Sequence, residues 1–179
     1  MNVHSEKDQG MWGSILIVIG GFIPYLGPII TLIGFVMLVL ALKGIGDAVG
    51  EKRLFKYYLY SILTWIVLLV EIGIGIAILD KTNSKLVLFI MLFGAYVLIF
   101  LAIYFEKNVW ENMYWITKTE EFKSVADWLW LGALLLIVLV GAILWLLARI
   151  YQIIAFSKMP ISVEPRKEID VNEYFGVVN

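Results

Sequence analysis

The chain has 179 residues, of which 61% are apolar and only 16% are charged. Soluble domains carry roughly 45–50% apolar and about 25% charged residues, so a water-soluble globular fold is excluded because it could not hide this much apolar surface. The net charge of −1 provides no basic face for nucleic acid. The absence of cysteine excludes disulfides, thiolate nucleophiles and cysteine metal sites.

The apolar residues are concentrated in long runs. Residues 10–42, 86–105 and 128–148 carry no charge, and Glu71 is the one charge within residues 57–79. A helix needs about 20 apolar residues to cross a hydrocarbon core of roughly 30 Å. The pattern predicts an all-α, polytopic transmembrane helix bundle in a single domain, residues 1–158, with a polar tail at 159–179. Its four predicted spans are residues 11–42, 57–79, 86–105 and 125–157.

The first apolar block is too long for one straight span and contains a predicted break. Pro24 and Pro28 each lack an amide N–H and clash with the preceding turn, so the block divides into two short helical arms, residues 11–23 and 29–42. The arms form either a hairpin that enters and leaves on one side, or one span with the other arm in the interface. Small residues that allow close helix packing recur every seven positions: Gly13, Gly20, Gly27, Gly34 and Ala41.

Residues 106–127 separate the third and fourth predicted spans. Val109, Trp110, Met113 and Tyr114 share one helical face, which predicts a short helix lying in the interface. The run Ser124-Val125-Ala126-Asp127 matches a capping box and predicts the start of the fourth span. Two tryptophans far from the span ends, Trp65 and Trp145, are expected to pack between helices.

Glu71 is the sharpest candidate for chemistry because an ionised carboxylate inside an apolar helix is costly. Tyr60 and Thr64 lie on roughly the same helical face. One interpretation is a proton or cation site in a small transporter or channel. The other is a mostly neutral glutamate that is hydrogen-bonded to a neighbouring helix and holds the bundle together.

A basic cluster follows the first block. Lys52, Arg53 and Lys56 are predicted to contact anionic lipid headgroups, to determine topology, or to do both, and they place their connector in the cytoplasm. If the first block is a hairpin, lysine and arginine counts slightly favour a cytoplasmic N-terminus and an external C-terminus.

One motif resembles a known family. The run Gly21-Phe22-Ile23-Pro24-Tyr25-Leu26-Gly27-Pro28-Ile29-Ile30, followed by Ala41-Leu42-Lys43 and Glu51-Lys52-Arg53-Leu54-Phe55-Lys56, is similar to small archaeal membrane proteins catalogued as domain of unknown function 996. The resemblance covers residues 12–60. It implies an archaeal cytoplasmic membrane and about four spans, and it supplies no activity.

These features predict a non-enzymatic integral membrane protein with a structural, scaffold or complex-accessory role. The alternative is a small transporter or channel that uses Glu71 as a proton or cation site. No nucleophile elbow, phosphate loop or HExxH motif is present in the sequence, and no metal or cofactor is predicted. The expected partners are membrane lipids and either further copies of the chain or another subunit of a membrane complex, in a multi-pass arrangement in the cytoplasmic membrane.

Overall fold

A computed structural model describes residues 1–136 and 140–164 of the chain. Its regular elements are all helical, as predicted. Four of the helices are long and apolar enough to cross a bilayer: α2, α3, α4 and α6. The bounds are α1 His4–Gly20, α2 Gly27–Val49, α3 Arg53–Thr82, α4 Lys85–Thr117, α5 Glu120–Leu134 and α6 Val140–Lys158.

The helices pack as three antiparallel hairpins, α1–α2, α3–α4 and α5–α6. The α1–α2 hairpin contacts the α5–α6 hairpin through α1 and α6, and α4 contacts α5. The N-terminus, residues 50–52, residues 118–119 and the end of α6 all lie at one end, which we call the basal end. The turns at residues 21–26 and 83–84 point the opposite way and mark the distal end.

The first apolar block forms a hairpin, which decides between the two predicted arrangements. Gly13 and Gly34 meet across α1 and α2 so closely that a Cβ atom on Gly34 would lie 2.6 Å from the Gly13 carbonyl oxygen. The predicted stripe of small residues is therefore a helix contact. Pro24 lies in the turn, whereas Pro28 lies in the first turn of α2, where a missing N–H costs nothing. Both arms also extend farther into polar sequence than predicted.

The second and third predicted spans lie inside α3 and α4, but the predicted interfacial helix within residues 106–127 is wrong. Helix α4 continues without a break to Thr117. Val109, Trp110 and Met113 are fully buried, and the Trp110 ring stacks on Phe122 of α5 at 5.8 Å. The apolar face that suggested a lipid-facing helix instead packs on α5 and α6.

The predicted continuous fourth span, residues 125–157, is also wrong, because two helices occupy it. Helix α5 ends at Leu134, and α6 begins at Val140 and packs antiparallel against α5. Trp145 donates a hydrogen bond from Nε1 to the Leu129 carbonyl at 3.2 Å. The predicted capping box is wrong as well, since α5 begins at Glu120 and Ser124 lies inside it. The end of α6 therefore returns to the same end of the bundle as the N-terminus.

The first part of the predicted tail is ordered against the N-terminus. Val3 donates its backbone N–H to the Ile161 carbonyl at 2.8 Å, and Val163 donates to the Met1 carbonyl at 3.0 Å. Met159 and Val163 are buried. Residues 165–179 of the predicted tail lie outside the described residues.

Candidate functional site

Glu71 lies in the distal half of the α3–α4 hairpin. Its Oε1 atom faces Gly94 of α4, where a Cβ atom would come within 2.8 Å of it. Its Oε2 atom is buried and has no hydrogen-bond partner in the described structure. The residue borders an open pocket of about 470 Å³ that is otherwise lined by apolar side chains of α3 and α4. Glycine at position 94 therefore makes room for a carboxyl group whose Oε2 atom has no partner among the described residues.

Tyr60 and Thr64 do not form a site with Glu71. The Thr64 hydroxyl donates to the Tyr60 carbonyl of its own helix at 2.8 Å. The Tyr60 ring packs on Phe105 at 5.4 Å and carries the Lys56 ammonium 5.7 Å from its centroid. Thr64 lies about 10 Å along the helix from Glu71, and Tyr60 lies farther away. The shared helical face thus does not bring the three polar groups together.

The predicted headgroup cluster lies at the basal end, around the start of α3. Lys52, Arg53 and Lys56 are exposed. The Arg53 guanidinium makes two hydrogen bonds to the carboxylate of Glu51, from Nε at 2.7 Å and from Nη2 at 2.9 Å. Arg53 is thus partly neutralised by Glu51, while Lys52 and Lys56 extend from the surface. Contact of these residues with lipid remains a prediction.

A buried polar network that the sequence interpretation missed connects α4, α6 and α1. Arg149 Nη1 donates to Glu106 Oε1 at 2.6 Å and to Gln152 Oε1 at 2.8 Å. Gln152 Nε2 donates to Ser14 Oγ at 2.8 Å, and Ser14 donates to the Gly10 carbonyl at 2.7 Å. Glu106 and Gln152 are almost completely buried. The network therefore links three hairpins through hydrogen bonds that are largely buried.

A groove runs beside this network, between α2 and α3. We call it the α2–α3 groove. It has a volume of about 620 Å³, and most of its lining is apolar, but Tyr58, Ser61, Glu106 and Arg149 contribute polar groups at one end. The Tyr58 hydroxyl is buried and has no hydrogen-bond partner in the described structure. Its apolar lining comprises Leu32, Phe35, Val36, Val39, Leu40, Ile62, Trp65, Ile66 and Leu69.

Sequence signals for these residues existed but were weak. Glu106 and Arg149 have opposite charges and border the uncharged runs at 86–105 and 128–148. A single helix over residues 125–157, as the sequence predicts, would place Arg149 near one membrane face and Glu106 near the other. Folding that block into a hairpin brings the two side chains to the same depth. The contact of Trp65 with Trp145, at 6.3 Å between ring centroids, confirms their predicted packing between helices.

Helices of this length and apolarity, with large apolar side chains exposed over much of their surface, are typical of a multi-span helical membrane protein. The chain belongs to the family described as "Protein of unknown function (DUF996)", whose sequence profile matches residues 30–150. It is similar to "Uncharacterized protein MJ1644" of Methanocaldococcus jannaschii, with 29% identity over 172 residues that cover 89% of this chain and 94% of that protein. No solved structure matches the chain.

Proposed function

We propose that this protein is a non-enzymatic accessory or scaffold subunit of the cytoplasmic membrane and that it self-associates through the distal half of the α3–α4 hairpin. The observation that supports this is the unpartnered carboxyl oxygen of Glu71. No residue from 69 to 101 is buried in the single chain, and Glu71 Oε2 has no partner there. Polar groups at membrane depth pair with other polar groups or face water, so a second copy that packs on this face and donates a hydrogen bond to the Glu71 carboxyl group would satisfy it.

The distribution of charge supports a cytoplasmic basal end. Among the described residues, every lysine and arginine except Lys81, Lys85 and the partly buried Arg149 belongs to the basal half of the bundle. Short cytoplasmic connections carry an excess of lysine and arginine, so the N-terminus and the end of α6 are both assigned to the cytoplasm. This assignment of the C-terminal end of α6 replaces the expectation of an external C-terminus. That expectation depended on a single crossing by the fourth predicted span, residues 125–157.

Native mass spectrometry of the full chain released from nanodiscs tests self-association. We expect dimers or larger assemblies for the wild type. Glu71→Gln keeps a hydrogen-bonding amide and should still associate, whereas Glu71→Leu should weaken association roughly three- to thirtyfold. That range corresponds to about 0.6–2 kcal/mol for a polar contact between membrane helices. Asp47→Asn, at an exposed position near the basal end of α2, is the matched control. A strict monomer in all variants would contradict the proposal.

A second candidate function is proton or cation transfer at Glu71. The unpartnered Oε2 atom beside an open pocket of about 470 Å³ favours it, because a free carboxyl oxygen can take up a proton or ligate a cation. Proteoliposomes loaded with a pH-sensitive dye would report proton flux under an imposed gradient. Flux that Glu71→Gln abolishes would support transfer. Proton flux equal to that of empty liposomes would exclude proton transfer at Glu71 and would not affect the proposal of self-association.

A further inference from the structure

The α2–α3 groove combines a long apolar channel with a polar end. Helix α2 packs mainly on α1 and diverges from α3 beyond their connection, which leaves the groove open along its length. Tyr58 lies at its polar end and Leu69 at its apolar end. These residues are eleven positions apart on α3, which corresponds to about 16 Å. The volume of about 620 Å³ is within the usual range of roughly 300–1,000 Å³ for small-molecule sites.

The polar end offers hydrogen-bond donors that the protein does not use. Arg149 makes its hydrogen bonds through Nη1, so its Nε and Nη2 groups have no acceptor within the described residues. Its side chain is 20% exposed and borders the groove. The Tyr58 hydroxyl also has no partner. Since an unpaired buried donor costs about 1–3 kcal/mol, an oxygen acceptor bound at this end would recover part of that free energy.

The charges at the polar end select the kind of acceptor. Glu106 lies 2.6 Å from Arg149 and neutralises its charge, and the carboxylate would repel an anionic head. We propose that the α2–α3 groove binds a single-chain amphiphile whose uncharged head carries a carbonyl oxygen. That oxygen accepts hydrogen bonds from Arg149 and Tyr58, and the tail lies along Trp65 toward Leu69.

The orientation of the groove agrees with this ligand class. Tyr58 and Arg149 lie toward the basal end, and Leu32 and Leu69 lie toward the distal end. An amphiphile would therefore bind with its head toward the basal membrane face and its tail toward the bilayer centre, as it lies in the bilayer itself. Because the Tyr58 hydroxyl is buried, the side chains over it must rearrange as the head binds.

The test uses the full chain in nanodiscs of ether-linked phosphatidylcholine, whose lipids have no carbonyl groups to compete. The probe is 2-dodecanone with a ¹³C-labelled carbonyl, and its chemical shift reports hydrogen bonding at the head. We expect a saturable shift with the wild type. Dodecane, which has the tail without the head, should not compete.

Three variants locate the site. Tyr58→Phe removes one donor with little change of shape and should weaken binding by roughly two- to tenfold, the value of about one neutral hydrogen bond. Val36→Trp adds bulk from a half-exposed position in the groove lining and should abolish binding. Tyr60→Phe changes a tyrosine outside the groove and should bind as the wild type does.

Other results would overturn the proposal. Unchanged binding in Val36→Trp would place the ketone elsewhere. If dodecane competed as well as unlabelled 2-dodecanone does, the groove would not recognise the head group. Tighter binding of dodecyl phosphate than of the ketone, with no effect of Tyr58→Phe, would mean that the groove selects an anionic head.

Discussion

Arg149 Nη1 lies 2.6 Å from Glu106 Oε1, although the two residues are 43 positions apart in the chain. The pair joins α6 to α4, and Gln152 extends it to Ser14 of α1. Each of the three hairpins therefore contributes to one buried network. In a membrane, where apolar contact between helices adds no hydrophobic gain over contact with lipid, such hydrogen bonds help to specify which helices pack together.

Glu106→Gln should destabilise the folded protein by about 1–3 kcal/mol, because it leaves the largely buried Arg149 guanidinium without its counter-charge. Replacement of both residues together, Glu106→Leu with Arg149→Leu, should cost much less than the sum of the single changes. Thermal unfolding in detergent, followed by tryptophan fluorescence, measures the difference. The protein has seven tryptophans to report it.

Lys107→Gln is the control for this prediction. It removes the neighbouring Lys107–Glu111 pair on α4, at 2.5 Å, which is partly exposed and separated by four positions. Such a pair contributes about 0.3–0.5 kcal/mol, so the change should be barely measurable. If Glu106→Gln lowered the stability of the protein no more than Lys107→Gln does, the buried network would not stabilise the bundle.

The glycine contact between α1 and α2 provides a second prediction. Gly34→Ala should destabilise the protein by roughly 1–3 kcal/mol, because its Cβ atom would lie 2.6 Å from the Gly13 carbonyl oxygen and force the helices apart. Gly73→Ala is the matched control, since no atom lies within 4 Å of the added Cβ. Helix propensity should make Gly73→Ala neutral or more stable by up to about 1 kcal/mol. Equal unfolding temperatures for the two variants would contradict close packing of α1 on α2.

The hairpin at the start of the chain was predictable and the one at its end was not. Pro24 breaks the first block through its missing N–H, which is a local property that can be read from the sequence. The second break follows Leu134 in a run with no proline, so a continuous helix fitted the local pattern. What accompanies that break is close packing: a Cβ atom on Gly132 would lie 3.0 Å from the Gly141 carbonyl oxygen. Two glycines inside the over-long predicted span, residues 125–157, were the signal available.

The two candidate sites, Glu71 and the α2–α3 groove, also differ in whether the sequence predicts them. Glu71 was identifiable because one acid in an apolar span stands out in any sequence. The α2–α3 groove was not, because it depends on where α2 diverges from α3 and on which side chains of α4 and α6 close its base. Tyr58 resembles other aromatic residues at a span end, and only its lack of a hydrogen-bond partner distinguishes it.

The open end of the α5–α6 hairpin should make a small, pH-dependent contribution to stability. The Lys158 ammonium donates a hydrogen bond to Glu121 and lowers the pKa of that carboxyl group below its usual value. A lowered folded pKa means that the stabilisation is present above the unfolded pKa of about 4.3 and is lost as the pH falls through the folded value. Unfolding temperatures of the wild type and Glu121→Gln should therefore differ slightly at pH 7 and converge at acid pH. A difference that grows on acidification would contradict this.

The hairpin lengths predict that α1–α2 does not cross the membrane. Helices α3 and α4, with 30 and 33 residues, are about 45 and 50 Å long, whereas α1 and α2, with 17 and 23 residues, are about 26 and 35 Å. All begin or end at the basal end, so the turn at residues 21–26 lies roughly 10–20 Å short of the α3–α4 turn. That first turn is apolar, while residues 80–85 are polar. We therefore expect the α1–α2 hairpin to enter from the basal side and turn inside the bilayer.

Single cysteines provide the measurement, because the chain has none of its own. In sealed proteoliposomes, a membrane-impermeant maleimide should label Asn83→Cys from one side and Lys118→Cys from the other. Tyr25→Cys replaces a side chain that is 96% exposed at the first turn, yet it should react from neither side because lipid surrounds it. Denaturation in detergent should then make it reactive. Labelling of Tyr25→Cys from the same side as Asn83→Cys would mean that the α1–α2 hairpin crosses the membrane completely. Helices α1 and α2 would then be two further spans.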